Sequence, residues 1–285
     1  MDAGAYAERF ARVLDYIEQH LGEELSVERL SREASFSKFH FHRQFSAYVG
    51  VSVSRYVQIL RLKRASRQLV FEPDSKIIGI AYEAGFETPE SFSRAFKREY
   101  GLTPSQFRSA PAWKPWRESH QFPSSERRRN MNVKIVEFEE TQVAALEHRG
   151  PPERVDDSAR IFIEWRKTSR SSPKESCKTF GVAYDNPDTT APGDFRFDIC
   201  GEVNEAVPRN PQGVVNKIIP GGRCAVARHL GSHDRIGESA YHLYRDWLPR
   251  SGEELRDFPL FFHYLNLMPE TPEHELITDL HLPLK

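Results

Sequence analysis

Arg43 and Arg94 lie 51 positions apart, and each has a phenylalanine two residues to either side and a hydroxyl residue six positions before it. On a helix, a two-residue offset turns a side chain toward the opposite face, so Phe41, Phe45, Phe92 and Phe96 pack inward while the arginines face out. An outward arginine fork suits the paired acceptors on the major-groove edge of guanine, and an outward aromatic such as Phe39 suits a thymine methyl. Ser37 and Thr88 stand where helix N-termini offer amides and hydroxyls to phosphate. The candidate DNA-contacting residues are therefore Ser37, Lys38, Phe39, His40, His42 and Arg43 in the first segment. In the second they are Thr88, Glu90, Ser91, Ser93, Arg94 and Arg98. His40 and His42 diverge on a helix, so no metal site is expected of them.

A second group of residues offers different chemistry. Asp198 and Asp279 are 81 positions apart and alternate with strand residues, Phe197 and Ile199 about the first and Thr278 and Leu280 about the second, as in a half-buried strand. Both are expected on equivalent sheet faces, away from the helices, and one reading leaves them on a solvated outer face. The other gathers an acid with Trp165, Tyr184, Tyr241, Trp247, His263, Tyr264 and Glu275 into a central groove. An aromatic cavity with a carboxylate favours a small, lipophilic, cationic ligand. The C-terminal half has no nucleophile elbow, no phosphate-cradling loop and no HExxH. No cofactor is implied.

The elements that must position these groups divide the chain in two. Residues 5–108 read as successive helices, with a short helix, a turn and a second helix at 38–49 and again from Thr88 to Tyr100. A long helix over 52–71 joins the two. Matches at a spacing of 51 (Phe41 with Phe92, Phe45 with Phe96, Gly50-Val51-Ser52 with Gly101-Leu102-Thr103) mark a duplicated helix-turn-helix within 1–110. Residues 111–130, rich in proline and with three consecutive arginines near the end, read as a linker. From 131 to 285 the pattern becomes strand, helix, strand, strand, and repeats at a spacing of 81. His148-Arg149-Gly150 matches His229-Leu230-Gly231, and Asp198-Ile199 matches Asp279-Leu280. Pro220-Gly221-Gly222 reads as a hairpin turn. The fold expected is thus multi-domain: an all-α duplicated helix-turn-helix domain, then an α+β domain of two pseudo-symmetric units.

Charge follows the same division. The whole chain is close to neutral, with 40 Lys+Arg against 41 Asp+Glu, yet no acid occurs between Glu33 and Glu72, a stretch holding seven Lys and Arg. A basic half joined to an acidic half suits one polyanion-binding module and one with another task. Three scattered cysteines read as free thiols of a reducing cytoplasm, and no apolar run is long enough to span a bilayer.

Ile80-Ala81, Gly85-Phe86, Phe92-Ser93-Arg94, Phe96-Lys97, Gly101, Thr103-Pro104 and Phe107-Arg108 resemble the signature of the AraC/XylS transcriptional regulators. That resemblance implies two recognition helices reading successive major-groove segments of double-stranded DNA, with RNA polymerase as a partner. His42 and Glu90 depart from the amides familiar at those positions. His148-Arg149-Gly150-Pro151 and the closing stretch from Glu275 to Leu284 resemble the GyrI-like small-molecule-binding domain, with Asp279 where a glutamate is expected. The order of the two domains is similar to that of Rob-type regulators, which implies a cytoplasmic, nucleoid-associated transcription regulator sensing a small-molecule effector. The GyrI-like resemblance also implies two alternatives for the second domain: a hydrolase of small electrophiles, with Glu202, Glu275 or Asp279 as general base beside Tyr264, and a protein-binding inhibitor module.

Overall fold

The computed structural model describes residues 3–112 and 131–285, with side chains for all of these except residues 3–7, Lys38 and Phe39. Most of the expected linker, including Trp113 and Trp116, lies outside the described residues. The chain divides into two units, Met1–Arg129 and Asn130–Lys285.

The first unit is helical: α1 (Ala3–Gln19), α2 (Val27–Glu33), α3 (Lys38–Val49), α4 (Val53–Phe71), α5 (Ile77–Glu83), α6 (Pro89–Tyr100) and α7 (Pro104–Ser109). Side-chain caps place the starts. Ser26, Ser52, Thr88 and Thr103 each accept from the backbone N–H three residues on, and Gln106 completes a capping box with Thr103. The core forms two clusters. Phe10, Leu30, Phe41, Phe45, Val53, Tyr56 and Leu60 belong to the first, and Leu62, Leu69, Ile80, Phe92, Phe96 and Phe107 to the second. Helix α4 thus gives its first half to one helix-turn-helix and its second half to the other. The two copies differ by one residue: α2 and α5 are offset by 50 positions, α3 and α6 by 51. Ser35 (φ 53) and Gly85 (φ 75) make the same left-handed turn, after which the second copy carries an extra residue.

The second unit is an eight-stranded antiparallel sheet with helices on one face. Its strands are β1 (Val133–Phe138), β2 (Thr141–Arg149), β3 (Thr179–Ala183), β4 (Arg196–Glu202), β5 (Val215–Ile219), β6 (Gly222–Leu230), β7 (Phe261–Tyr264) and β8 (Ile277–Pro283). Helix α8 (Val155–Ser169) follows β2. Helix α9 (Ile236–His242) follows β6 and runs on through a π-helical turn and α10 (Leu248–Ser251). The strand order is β1-β6-β8-β7-β3-β4-β2-β5, which is unchanged when read backwards with β1–β4 and β5–β8 exchanged.

This order corrects the expectation at Pro220-Gly221-Gly222, which is not a hairpin. Strands β5 and β6, like β1 and β2, lie six strand spacings apart, about 29 Å across a flat sheet. Two intervening residues span only about 11 Å, so the sheet must curl until its edges approach. The two crossings touch: a Cβ on Gly221 would lie 2.9 Å from the Glu140 nitrogen and 3.1 Å from the Phe138 oxygen. The concave, helix-free face folds on itself, with Phe138 of edge strand β1 reaching Phe261 and Phe180 at the sheet centre. The convex face carries α8 over Ala144, Leu146 and Ile199, and α9 over Ala225, Ala227 and Leu280.

Candidate nucleic-acid interface and effector groove

In the helical unit, His40, His42 and Arg43 are exposed on α3, and Glu90, Arg94 and Arg98 are exposed on α6. Ser37 starts α3, but its side chain makes no capping hydrogen bond. Thr88 does cap α6, accepting from the Ser91 N–H at 3.2 Å, while the Ser91 hydroxyl donates back to the Thr88 carbonyl at 2.8 Å. These two hydroxyls are engaged in the helix start, and Ser93 is half-buried. The outward polar groups along α6 are therefore Glu90, Arg94, Lys97 and Arg98. Lys38 and Phe39 have their side chains outside the described residues.

The pattern of exposed residues did not reveal how α6 is held. Arg98 Nη2 donates to Gln58 Oε1 at 3.3 Å, and Arg55 bridges the same Gln58 (3.0 Å) and Glu99 (2.6 Å). This network ties the outer edge of α6 to α4. Arg108 serves the far end of α4, donating to the Leu69 and Ser75 carbonyls. In the sequence it stood out only as the end of the AraC/XylS-like signature, which gives no hint of these carbonyl partners.

In the sheet unit the nine candidate ligand residues separate by strand parity. Asp198 and Tyr184 lie on the helix-free face, and so do His263 and Asp279, directly opposite each other across β7 and β8. Trp165, Trp247 and Tyr264 lie on the helix-covered face. Tyr241, on α9, donates to Asp188 at 2.6 Å and to Asn186 at 3.1 Å in the segment after β3. Glu275 is exposed on a short 3-10 turn. The acid and the aromatics thus do not converge on one cavity, because β3, β4, β7 and β8 each send alternate side chains to opposite faces.

Both aspartates already have cationic partners. Asp198 is fully buried, and its Oδ2 accepts from Lys217 Nζ at 2.6 Å and from the Tyr184 hydroxyl at 2.8 Å. Arg149 stands 3.7 Å from the other oxygen, and Lys217 also reaches Glu147 at 2.5 Å. Burial, then the bond to Asp198, pushes the Tyr184 hydroxyl up to about 12. Burial pulls the Lys217 ammonium down, but its bonds to Asp198 and Glu147 outweigh this and hold it above the ordinary lysine range. Asp279 is gripped by both arms of Arg228, at 2.7 and 2.8 Å. Glu202, the other general-base candidate, accepts from the Lys178 N–H. Tyr264 pairs with Thr278 and so points away from Asp279.

Between the two helix-covered halves of the convex face, β3 presents Gly181 and Ala183. A Cβ on Gly181 would lie 2.5 Å from the Phe197 ring and 2.8 Å from the Tyr264 hydroxyl oxygen, so only glycine lets both rings lie across the strand. Phe197 stacks against Phe262 at 6.1 Å and joins the α8 and α9 cores, and the His233 ring packs on Tyr264. Burial, and after it the Asp156 carboxylate, raises the Tyr264 hydroxyl above the usual phenol range. Sequence reasoning found Tyr264 but missed Phe197 and Gly181. Phe197 was the inward half of the alternation around Asp198, and the glycine gave no separate signal.

Two histidines occupy matching positions at the strand ends. His148 Nδ1 meets Ser158 Oγ at 2.9 Å, and His229 Nδ1 meets Ser239 Oγ at 2.8 Å. The Nε2 atoms face the Pro151 and Ser232 carbonyls. Among the described residues no group of three or more His, Cys, Asp or Glu side chains is arranged to hold a metal, and no helix is long and apolar enough to cross a membrane.

Comparison with known proteins agrees with this geometry. Residues 131–285 match the GyrI-like small-molecule-binding domain, and residues 30–110 match a helix-turn-helix domain. The probable transcriptional regulator YgiV of Escherichia coli (strain K12) is 48% identical over 154 residues, 54% of this chain and 96% of YgiV. The HTH-type transcriptional regulator YbfP of Bacillus subtilis (strain 168) is 40% identical over 104 residues, 36% of this chain and 35% of YbfP. The right origin-binding protein of Escherichia coli (strain K12) is 31% identical over 103 residues, 35% of each chain. The chain belongs to the DNA-binding transcription regulators that join an AraC-type helix-turn-helix domain to a GyrI-like small-molecule-binding domain.

Proposed function

We propose that α3 and α6 are the two recognition helices, that Arg43 and Arg94 read base edges, and that the convex-face groove over Gly181 takes the effector. The observation that carries the DNA reading is the equivalence of the two arginines. Each is exposed at the same position of the second helix of a helix-turn-helix, opposite a buried phenylalanine pair. The ligand this groove favours is small, flat and lipophilic, held against Phe197 and Tyr264 with Trp165 and Trp247 packed behind. A cationic centre gains further from the ring faces. The pairing of Asp198 and Asp279 with Lys217 and Arg228 argues against either acid as the ligand's counter-charge, and supports a sensor over a hydrolase. The palindromic strand order and the matched His148 and His229 support two units arisen by duplication. The protein then works in the cytoplasm at promoter DNA, with RNA polymerase as its partner.

The test is fluorescence anisotropy with operator fragments recovered from genome-wide occupancy mapping. Arg43→Ala and Arg94→Ala are each expected to weaken specific binding by about 1–3 kcal/mol, with little change on scrambled DNA. Unchanged specific affinity in both variants would sink the assignment.

A further inference from the structure

Helix α4 serves two cores, and the change-over falls between Leu60, the last of its residues in the first cluster, and Leu62, the first in the second. The residue between them is Arg61. Its guanidinium is half-buried and points at neither core. Nε donates to the Leu21 carbonyl at 2.9 Å and Nη2 to the Glu23 carbonyl at 3.0 Å, both in the segment that leads from α1 into the first helix-turn-helix. The same guanidinium lies against the turn of the second helix-turn-helix. A Cβ built on Gly85 would come within 2.4 Å of Nη1, and Gly85 itself has φ +75. One planar group therefore touches backbone of both reading units at the waist of the helix that joins them.

We infer that Arg61 is a positioning residue: it locks the angle between α3 and α6 and so sets the half-site separation that the protein accepts. The inference rests on the proposal that both helices read DNA. Two reading units on one rigid body gain affinity from simultaneous engagement only when their geometry matches the spacing of the sites, and loosening the joint forfeits that gain. An arginine fork suits the task because it holds two carbonyls in one plane, which the single ammonium of lysine cannot do. The glycine at 85 completes the fit, since any side chain there would displace the guanidinium.

The experiment uses the full-length protein and five duplexes: the selected operator, the operator with one or with two base pairs inserted between half-sites, and the operator with either half scrambled. Wild type is expected to lose about tenfold or more in affinity on insertion. Arg61→Ala is expected to bind the operator about tenfold more weakly, with its insertion penalty collapsing toward unity and its binding to the half-scrambled duplexes unchanged. Arg61→Lys, which keeps the charge and the aliphatic stem, is expected to behave like Arg61→Ala, and it carries the comparison if the alanine variant melts early. A uniform loss on every duplex with the insertion penalty intact would overturn the inference, as would full rescue by lysine, which would make Arg61 a simple phosphate contact. If wild type itself ignores insertion and scrambling, the two-helix reading fails, and that failure is visible without any Arg61 variant.

Discussion

His281 offers a sharp test of the packing of the concave face. It is 7% exposed, its ring stacks on Phe261 with centroids 4.8 Å apart and a 10° tilt, and Phe138 meets its edge. Among the described residues neither ring nitrogen has a hydrogen-bond partner. The groups that share its face are His263, 6.3 Å away, and Asp279 with its Arg228. Burial, reinforced by His263, lowers the His281 pKa to about 4. In the unfolded chain the value returns to about 6.5. The unfolded state then binds the proton more readily, so this residue's contribution is fully present above pH 6.5 and is lost as pH falls toward 4. Proton linkage over that window removes about 2 kcal/mol by pH 5 and about 3 kcal/mol by pH 4. His281→Phe keeps the ring shape, abolishes the titration and removes two unpaired nitrogens, which adds about 1 kcal/mol at pH 7. Urea unfolding of residues 131–285 at pH 7, 5 and 4 measures both effects. Burial also lowers His229 and His263, so the wild-type profile alone does not isolate His281, but the difference between the two proteins does. Parallel pH profiles, within about 0.5 kcal/mol, would refute the reasoning.

Further outcomes follow from single side chains. Thr88→Ala removes a formed N-cap and is expected to cost about 1 kcal/mol of stability in thermal melts of the helical unit. Ser37→Ala removes no cap and is expected to leave the melt unchanged while weakening operator binding by about 0.5–1 kcal/mol, through loss of a phosphate contact. Lys217→Met leaves the buried Asp198, among the described residues, with the Tyr184 hydroxyl in hydrogen-bond reach and Arg149 at 3.7 Å, at a cost of about 2–3 kcal/mol, reduced from the usual buried-pair value because Lys217 is partly exposed and Arg149 remains. Asp198→Asn in the same chain is expected to restore part of that loss in urea titrations, and strict additivity of the two changes would contradict the coupling.

The helical unit was legible because its information is local. A cap at Thr88, a three- and four-residue apolar rhythm through Phe92 and Phe96, and a stop at Gly101 fix a helix from residues that are neighbours in the chain. Duplication then supplied an internal control for which positions face outward. The one-residue difference between the two turns escaped notice, because it falls where Ser35 takes a left-handed conformation that only glycine signals plainly. The role of Arg61 was equally hidden. Its partners are backbone carbonyls 38 and 40 positions away, and carbonyls leave no mark on a sequence.

The sheet unit shows the opposite case. Period-two alternation identified the strands carrying Asp198 and Asp279, but alternation tells which residues share a face and not which face will hold a ligand. That choice depended on the curl of the sheet, which follows from two short crossings between strands that never pair, and a crossing of two residues looks in sequence like a hairpin. Once the curl turns the helix-free face inward, its acids must be neutralised locally: Lys217 reaches Asp198 from β5, across the intervening β2, and Arg228 reaches Asp279 from the adjacent β6. The outward face is then left with a glycine floor under two rings. An acid within a pattern of apolar alternation is therefore as well explained by the closing of a curled sheet as by a bound cation. The deciding observation is whether a cation from the same chain already stands beside it.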